Sequence, residues 1–332
     1  MRTAEPCAPW HAGRYAAIDI GTVTCRMLVA DVDATGAITE VDREYSIVNL
    51  GEGVDASGVL KPAAMERTAA AVARYCAVRD ELSLPEQQGV PTVAVATSAA
   101  RDAANANDFA ALLSRAGVQL SVIPGQREAA LSFSGASSDF PGERLAVVDV
   151  GGGSTEVVAG RAGGAPDHAR SFDIGCRRVT ERFFAADPPA AGELARARGW
   201  VADTMRPYFA ELAAVGGFDR IVAVAGTATS VVAVRERMET YDQSRVHGAT
   251  VSRADLDAVF AQLASVPTAQ RAQTMGLDPG RAPVIVAGLV ILQTVLDLAG
   301  ADSFTVSESD ILHGIVLDAA RGGFSPASTN AV

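Results

Sequence analysis

The sequence predicts an α/β protein built from two similar domains that face one another across a cleft. Three observations lead there. Ala17-Ile18-Asp19-Ile20-Gly21 recurs as Val147-Val148-Asp149-Val150-Gly151, and the steps from Asp19 to Asp149 and from Gly21 to Gly151 are both 130 residues. Each copy is an apolar run, a short Gly/Ser/Thr break and a second aliphatic run, the pattern of strand, tight turn and strand. After each copy, helix-period and strand-like segments alternate, which puts the hairpin at the head of an α/β unit.

In the first half, Met27-Leu28-Val29-Ala30 continues the hairpin, and a third strand follows the turn signal Asp33-Ala34-Thr35-Gly36. Helical periodicity runs over 62–82, with Pro62 suited to a first turn. A strand at 92–97, a helix at 98–116, a strand at 119–124 and a short helix at 126–135 follow. The second half echoes this order. Val157-Val158-Ala159 closes its hairpin, and a third strand follows Ala162-Gly163-Gly164. Helices are predicted at 192–215, from Thr227, at 253–264, at 281–299 and at 310–320, with strands at 220–225 and 303–306. The first domain is set at 14–135, with the last helix, 309–322, able to return to it. The second is set at 136–308, with flexible tails at 1–13 and 323–332.

A chain of 332 residues that is 48% hydrophobic can fill two ordinary cores. Aromatics are only 5%, so Ala, Val, Leu and Ile must do the filling. The net charge of −11 argues against broad binding to nucleic acid or to an anionic membrane. It leaves room for a small polyanionic substrate, which needs only a local basic groove. Lys61 is the only lysine, so phosphate recognition must rest on arginine and backbone N–H groups.

Cys7, Cys25, Cys76 and Cys176 are scattered without a C-x-x-C pair, which favours free thiols in a reducing compartment. Residues 1–13 lack the apolar stretch of a signal peptide. The longest apolar run, 284–298, is broken by Gln293, Thr294 and Asp297 and reads as a buried helix, with room for a homodimer contact. A cytoplasmic protein without nucleic-acid or membrane partners is expected.

The repeated turn has the form Asp-x-Gly-x-x-Ser/Thr, with Thr24 matching Ser154 and Arg26 matching Glu156. Glycine lets backbone approach an anion, and consecutive N–H groups in such turns point at phosphate oxygens. Gly21, Thr22 and Thr24 in one copy, and Gly151, Gly152, Gly153 and Ser154 in the other, are the candidate grips. The strand-end aspartates, Asp19 and Asp149, repel phosphate and suit a divalent metal or its waters. Taken singly, the second turn reads equally well as a Gly-rich hairpin with no ligand. Its recurrence favours phosphate.

A P-loop is excluded because Lys61 is far from any Gly-rich turn. A dinucleotide fingerprint fits poorly, because Gly151 to Gly153 leads into a strand. Ala225-Gly226-Thr227-Ala228-Thr229 opens a helix and is either an anion site or a turn capped by Thr227. Arg177, Arg178 and Arg182 read as a solvated helix face ahead of a lining of the groove, and His247 and His313 as structural residues.

The paired turns resemble those of the actin, sugar-kinase and heat-shock-chaperone ATPase superfamily. Further segments narrow the resemblance to the exopolyphosphatase/guanosine pentaphosphate phosphohydrolase (Ppx/GppA) family, in its short two-domain form. They are Leu50-Gly51-Glu52-Gly53-Val54, Ala96-Thr97-Ser98-Ala99-Ala100-Arg101-Asp102, Ile123-Pro124-Gly125-Gln126-Arg127-Glu128-Ala129, Asp149 through Glu156, and Arg178-Val179-Thr180-Glu181-Arg182-Phe183. The resemblance runs from about Ala17 to Gly314 and implies two actin-like, ribonuclease H-like domains.

It also implies roles. Glu128 matches the family's catalytic glutamate, which activates the attacking water. Arg101 matches a phosphate-gripping arginine, and Gly152, Gly153 and Ser154 match the loop around the terminal phosphate. Asp149 and Glu156 match acidic residues implicated in binding Mg²⁺ (or Mn²⁺), with Asp19 as an outer partner. Arg281 falls in a helix-start motif near the phosphate chain.

The implied activity is release of terminal phosphate from inorganic polyphosphate. The alternatives are hydrolysis of guanosine pentaphosphate and a binding or sensor protein with little turnover. Two departures bear on substrate: Val23 stands where the family usually has Asn, and Asn49 where it usually has Arg.

Overall fold

Residues 9–324 are described in a computed structural model of the chain. Eleven strands form two sheets among these residues. They are β1 (Gly13–Ile20), β2 (Thr24–Val32), β3 (Ile38–Ile47), β4 (Thr92–Ala96), β5 (Leu120–Val122), β6 (Arg144–Val150), β7 (Thr155–Arg161), β8 (His168–Phe172), β9 (Arg220–Val224), β10 (Thr250–Ser252) and β11 (Ser303–Val306).

The sheets have one topology. In the first, the order is β3-β2-β1-β4-β5, an antiparallel meander followed by parallel β4 and β5. In the second, β8-β7-β6-β9-β11 repeats it, and β10 adds an antiparallel edge. The repeat is exact in register: Ile20 pairs with Cys25 and Val150 with Thr155, each 130 residues on. A one-residue slip would turn every side chain to the wrong face, so both hairpins must share the alternation of the core. Ala17, Leu28, Ala30, Val147 and Val158 are all fully buried.

Two helices carry the chain between the domains. The helix Gly125–Ser137 lies on the second sheet, where Ala129, Phe133 and Ala136 pack with Leu145, Val147 and Val158. The helix Ile311–Ala320 lies on the first, where Ile311, Leu312, Ile315 and Val316 pack with Ala17, Leu28 and Val32. By packing, then, 125–137 goes with the second sheet and the last helix with the first. A boundary near Gly135 falls inside a helix. The two helices cross at Gly135 and Gly314, where a Cβ would overlap the Asp310 and Leu131 carbonyl oxygens respectively.

The helix predicted over 98–116 is two helices, Ser98–Arg101 and Ala106–Arg115. The Asn105 amide explains the break: it accepts from Leu60 N–H (2.8 Å) and donates to Leu60 C=O (3.0 Å), holding the chain in a non-helical turn. The helix Cys176–Phe183 and strand β10 have no counterpart in the predicted elements. The segment from Val284 forms the helix Ile285–Ala299, in which 285–296 are all buried inside the second domain. The buried helix read from the sequence is thus observed, its apolar side chains packed in the core of this domain. Among the described residues, no helix is long and apolar enough to cross a membrane.

The tails expected at 1–13 and 323–332 lie mostly outside the described residues. Within them, His11 N–H donates to Ala320 C=O (2.8 Å), and Arg321 stacks over Trp10 (3.7 Å to the ring centroid), so this stretch is docked on the last helix.

Candidate active site

The two turns close in the same way. Gly21 N–H donates to Thr24 C=O (2.9 Å) and Gly151 N–H to Ser154 C=O (3.0 Å). Both sit at the carboxyl ends of β1 and β6, where open α/β sheets bind ligands. They also touch one another. A Cβ on Gly152 would lie 2.7 Å from Val23 Cγ2 and 2.8 Å from Thr22 Cβ, and one on Gly153 would lie 2.7 Å from Thr22 Oγ1. These glycines are therefore needed for the two turns to meet. Val23 joins the buried cluster of the second domain, so its apolar side chain bridges the cleft where the family usually has Asn.

Between the turns lies a cavity of about 60 Å³. Gly21, Thr22 and Thr24 line it from one side, and Gly151, Gly152, Gly153 and Ser154 from the other. Asp19, Glu128, Asp149 and Arg281 also line it. Of the candidates read from the sequence, Arg101 and Glu156 stand behind this wall rather than on it.

Glu128 is in the first turn of the helix Gly125–Ser137, with its N–H bonded to Pro124 C=O (3.0 Å). It is 7% exposed. Arg101 donates to the Ile123 carbonyl (2.9 Å) and to Glu128 Oε2 (3.1 Å). Burial pushes the Glu128 carboxyl up to about 8, against the pull of Arg101 and with help from the negative charges of Asp149 and Asp19.

Asp149 and Glu156 pair across β6 and β7 and are likewise raised, first by burial. Asp149 accepts from Ser132 Oγ–H (2.8 Å) and Glu156 from Ser171 Oγ–H (2.6 Å). Asp19 is held elsewhere: Arg26 donates to it (2.7 Å) and also bonds Asp310. The expected set of Asp149, Glu156 and Asp19 thus does not converge. Among the described residues, no three His, Cys, Asp or Glu side chains form an arrangement able to hold a metal ion. Asp149 raises Glu128, and both raise Glu156, a concentration of buried negative charge that a cation would relieve. Mg²⁺ commonly uses one or two carboxylates with water and substrate phosphate as its other ligands, and this pair suits that mode.

The third Gly/Thr element also reaches the cavity. The helix Ala225–Arg235 has no side-chain cap, so capping by Thr227 does not occur, and its first N–H groups remain for an anion. Arg281 lies flat over Gly226, where a Cβ would overlap the guanidinium, and 5.5 Å from the Tyr45 ring centroid.

Sequence reasoning missed Arg26 and Thr97 on the cavity wall and Asp310 behind Arg26. The signal for Arg26 was its place opposite Glu156 in the repeat. It also misjudged the arginine-rich helix. Arg177 donates to Asn49 Oδ1 and Arg178 to Asp55 and Asp102, all in the first domain, and only Arg182 lies over surface rings. Asn49 accordingly receives a guanidinium from across the cleft at the position where the family usually carries its own.

The profile of the Ppx/GppA phosphatase family matches residues 28–321. The chain belongs to this family. It is 39% identical over 326 residues to a Mycobacterium tuberculosis protein named exopolyphosphatase 2, covering 92% of this chain and 98% of that one. The crystal structure of an exopolyphosphatase-like protein superposes with a TM-score of 0.86 at 34% identity, covering 95% of this chain and all of that one. That of the Aquifex aeolicus Ppx/GppA family member gives 0.76 at 28% identity, covering 95% and 99%. The two-domain actin-like fold is shared with these family members.

Proposed function

We propose that this chain is an exopolyphosphatase, a hydrolase that removes the terminal phosphate of inorganic polyphosphate. One observation carries the reading: a buried carboxylate raised towards neutral pH stands on the wall of a phosphate-sized cavity between two glycine turns. The relative named exopolyphosphatase 2 and the exopolyphosphatase-like structure support it.

Glu128 orients a water and takes its proton as the water oxygen bonds to the terminal phosphorus. The bridging P–O bond breaks, and the shortened chain leaves with its new terminal oxygen. Backbone N–H groups of Gly152 to Ser154 stabilise charge on the transferring group, the main demand of phosphoryl transfer, and Arg101 behind the wall holds the Glu128 carboxyl. Asp149, backed by Glu156, would hold a Mg²⁺ that neutralises charge on the phosphate oxygens. Arg281 and the N-terminus of the helix Ala225–Arg235 receive the next phosphates. The buried, unpaired thiols of Cys25, Cys76 and Cys176 suit a cytoplasmic setting.

A second reading, guanosine pentaphosphate hydrolysis, is favoured by one feature. A cavity of about 670 Å³ adjoins the first through Arg26, Gly226 and Arg281 and is walled by Tyr45, Met238 and Tyr241 together with charges of both signs. Its size and apolar faces suit a nucleoside better than a bare polyanion. The test is phosphate release with Mg²⁺ from long polyphosphate, tripolyphosphate, guanosine pentaphosphate and ATP. Release from polyphosphate is expected. Release from the nucleotide alone supports the second reading, and tight binding without release from any supports a sensor.

A further inference from the structure

The helix Cys176–Phe183 meets the first domain through a ring of polar contacts beside the phosphate turns. Arg178 is its centre. Its Nε donates to the Gly153 carbonyl (2.9 Å), inside the second phosphate turn. Its terminal nitrogens reach Asp102 Oδ2 (2.6 Å) and Asp55, both in the first domain. The side chain is only 15% exposed. Arg177 on Asn49, and Glu181 accepting from Gly53 N–H (3.2 Å), flank it.

We propose that Arg178 is a positioning residue that couples closure of the two domains to the shape of the Gly151–Ser154 phosphate turn. Three relations carry this. A planar trans peptide points its C=O and N–H in opposite directions, so fixing the Gly153 carbonyl on Arg178 turns the Ser154 N–H away from it. Ser154 lines the phosphate cavity. Asp102 directly follows Arg101, which touches Glu128, so one guanidinium ties the turn to the segment carrying the base's partner. The planar fork of arginine spreads its donors over three nitrogens in fixed directions and so reaches three acceptors set apart, whereas the three donors of a lysine ammonium radiate from one atom.

Opening the cleft removes Asp55 and Asp102 from Arg178 while leaving Gly153 beside it. The guanidinium then keeps the Gly153 carbonyl and loses both carboxylates and the Ser98 hydroxyl (3.5 Å), and the turn loses its fixed orientation. Full phosphate stabilisation therefore exists only in the closed form, and product leaves as the turn relaxes. The kinetic part rests on the hydrolase reading. The coupling of closure to turn rigidity does not.

The test uses Arg178→Ala, Arg178→Lys, Asp102→Asn and the double variant Arg178→Ala/Asp102→Asn, read by two methods. In steady-state release of phosphate from tripolyphosphate with Mg²⁺, Arg178→Ala should lower kcat by roughly 10- to 100-fold, the scale of a misplaced transition-state donor. KM should change less than about threefold, a split that marks loss in the transition state. Arg178→Lys should not rescue, because the charge remains but the fork is gone. The double variant should be no slower than Arg178→Ala, because the two residues act as one unit.

In hydrogen exchange followed by mass spectrometry, the 149–156 segment should take up deuterium faster in Arg178→Ala and in Asp102→Asn, while the helix Ile285–Ala299 is unchanged. If the wild-type protein releases no phosphate from any substrate, the hydrolase reading fails and exchange alone decides this proposal. Unchanged exchange at the turn, kcat within twofold of wild type, or independent additive losses would each overturn it. Should Arg178→Ala not fold, Asp102→Asn carries both arms.

Discussion

Arg101 and Glu128 form a charge-assisted pair at 3.1 Å, and Glu128 is the base of the proposed hydrolysis. Burial raises Glu128 to about 8, with Asp149 and Asp19 adding to it and Arg101 working against it. A base acts only when deprotonated, so kcat/KM should rise with pH through about 8 and then level off. Replacing Arg101 with Ala removes the opposing cation and should move that rise to higher pH. A profile left in place by Arg101→Ala would take the arginine out of the site.

Glu128→Gln keeps the shape and removes the base. Phosphate release should fall on the order of 10²- to 10⁴-fold, with substrate binding measured by calorimetry largely retained. Stability changes with a predictable sign. The folded state holds the Glu128 proton between 4.5 and about 8 while the unfolded chain has lost it, so wild-type stability falls as pH rises through that window. The Gln variant has no such group. Its Tm should gain on wild type by roughly 2–4 °C per kcal/mol relieved as pH goes from 5 to 8.5. A constant Tm difference across that range would mean that Glu128 is not raised.

What could be read from the sequence, and what could not, follows from the range of each contact. The repeat at 130 residues made both glycine turns legible, and their hairpin registers match residue for residue. Hairpins are local, so an alternating pattern determines them. Arg26 with Asp310, and Arg178 with Asp55, join residues 284 and 123 positions apart. No periodicity records such partners, which is why Arg178 read as a solvated helix face. The place of Glu128 came from family resemblance alone, because an isolated carboxylate in a helical stretch looks like surface. Asp19 read as a metal partner because its type suited one; the Arg26 guanidinium that occupies it comes from the neighbouring strand.

Asp149 and Glu156 give the metal question a readout that needs no turnover. A ligand that binds only the folded state raises its stability by mass action. Millimolar Mg²⁺ with inorganic phosphate should raise the Tm of the wild-type protein, and Asp149→Asn should abolish most of that rise. Glu156→Gln, one step further from the cavity, should reduce it less. An equal rise in Asp149→Asn would place the cation elsewhere.

The crossing of the two connecting helices links stability to chemistry. At Gly314, a Cβ would overlap the Leu131 carbonyl, and at Gly135 it would overlap that of Asp310. The obstacle in both cases is backbone, which cannot rotate away as a side chain can. Gly314→Ala must therefore push the helix Ile311–Ala320 off the helix Gly125–Ser137, an overpacking cost of about 1–3 kcal/mol. Leu131 lies one turn from Glu128 in the same helix, so the displacement reaches the base as well, and phosphate release should fall with Tm. Gly135→Ala should act alike. The double variant should lose less than the sum of the two, because helices already parted by one methyl group have room for the other. Additive losses in Tm would show instead that each glycine meets its own obstacle and that the helices do not move as a pair.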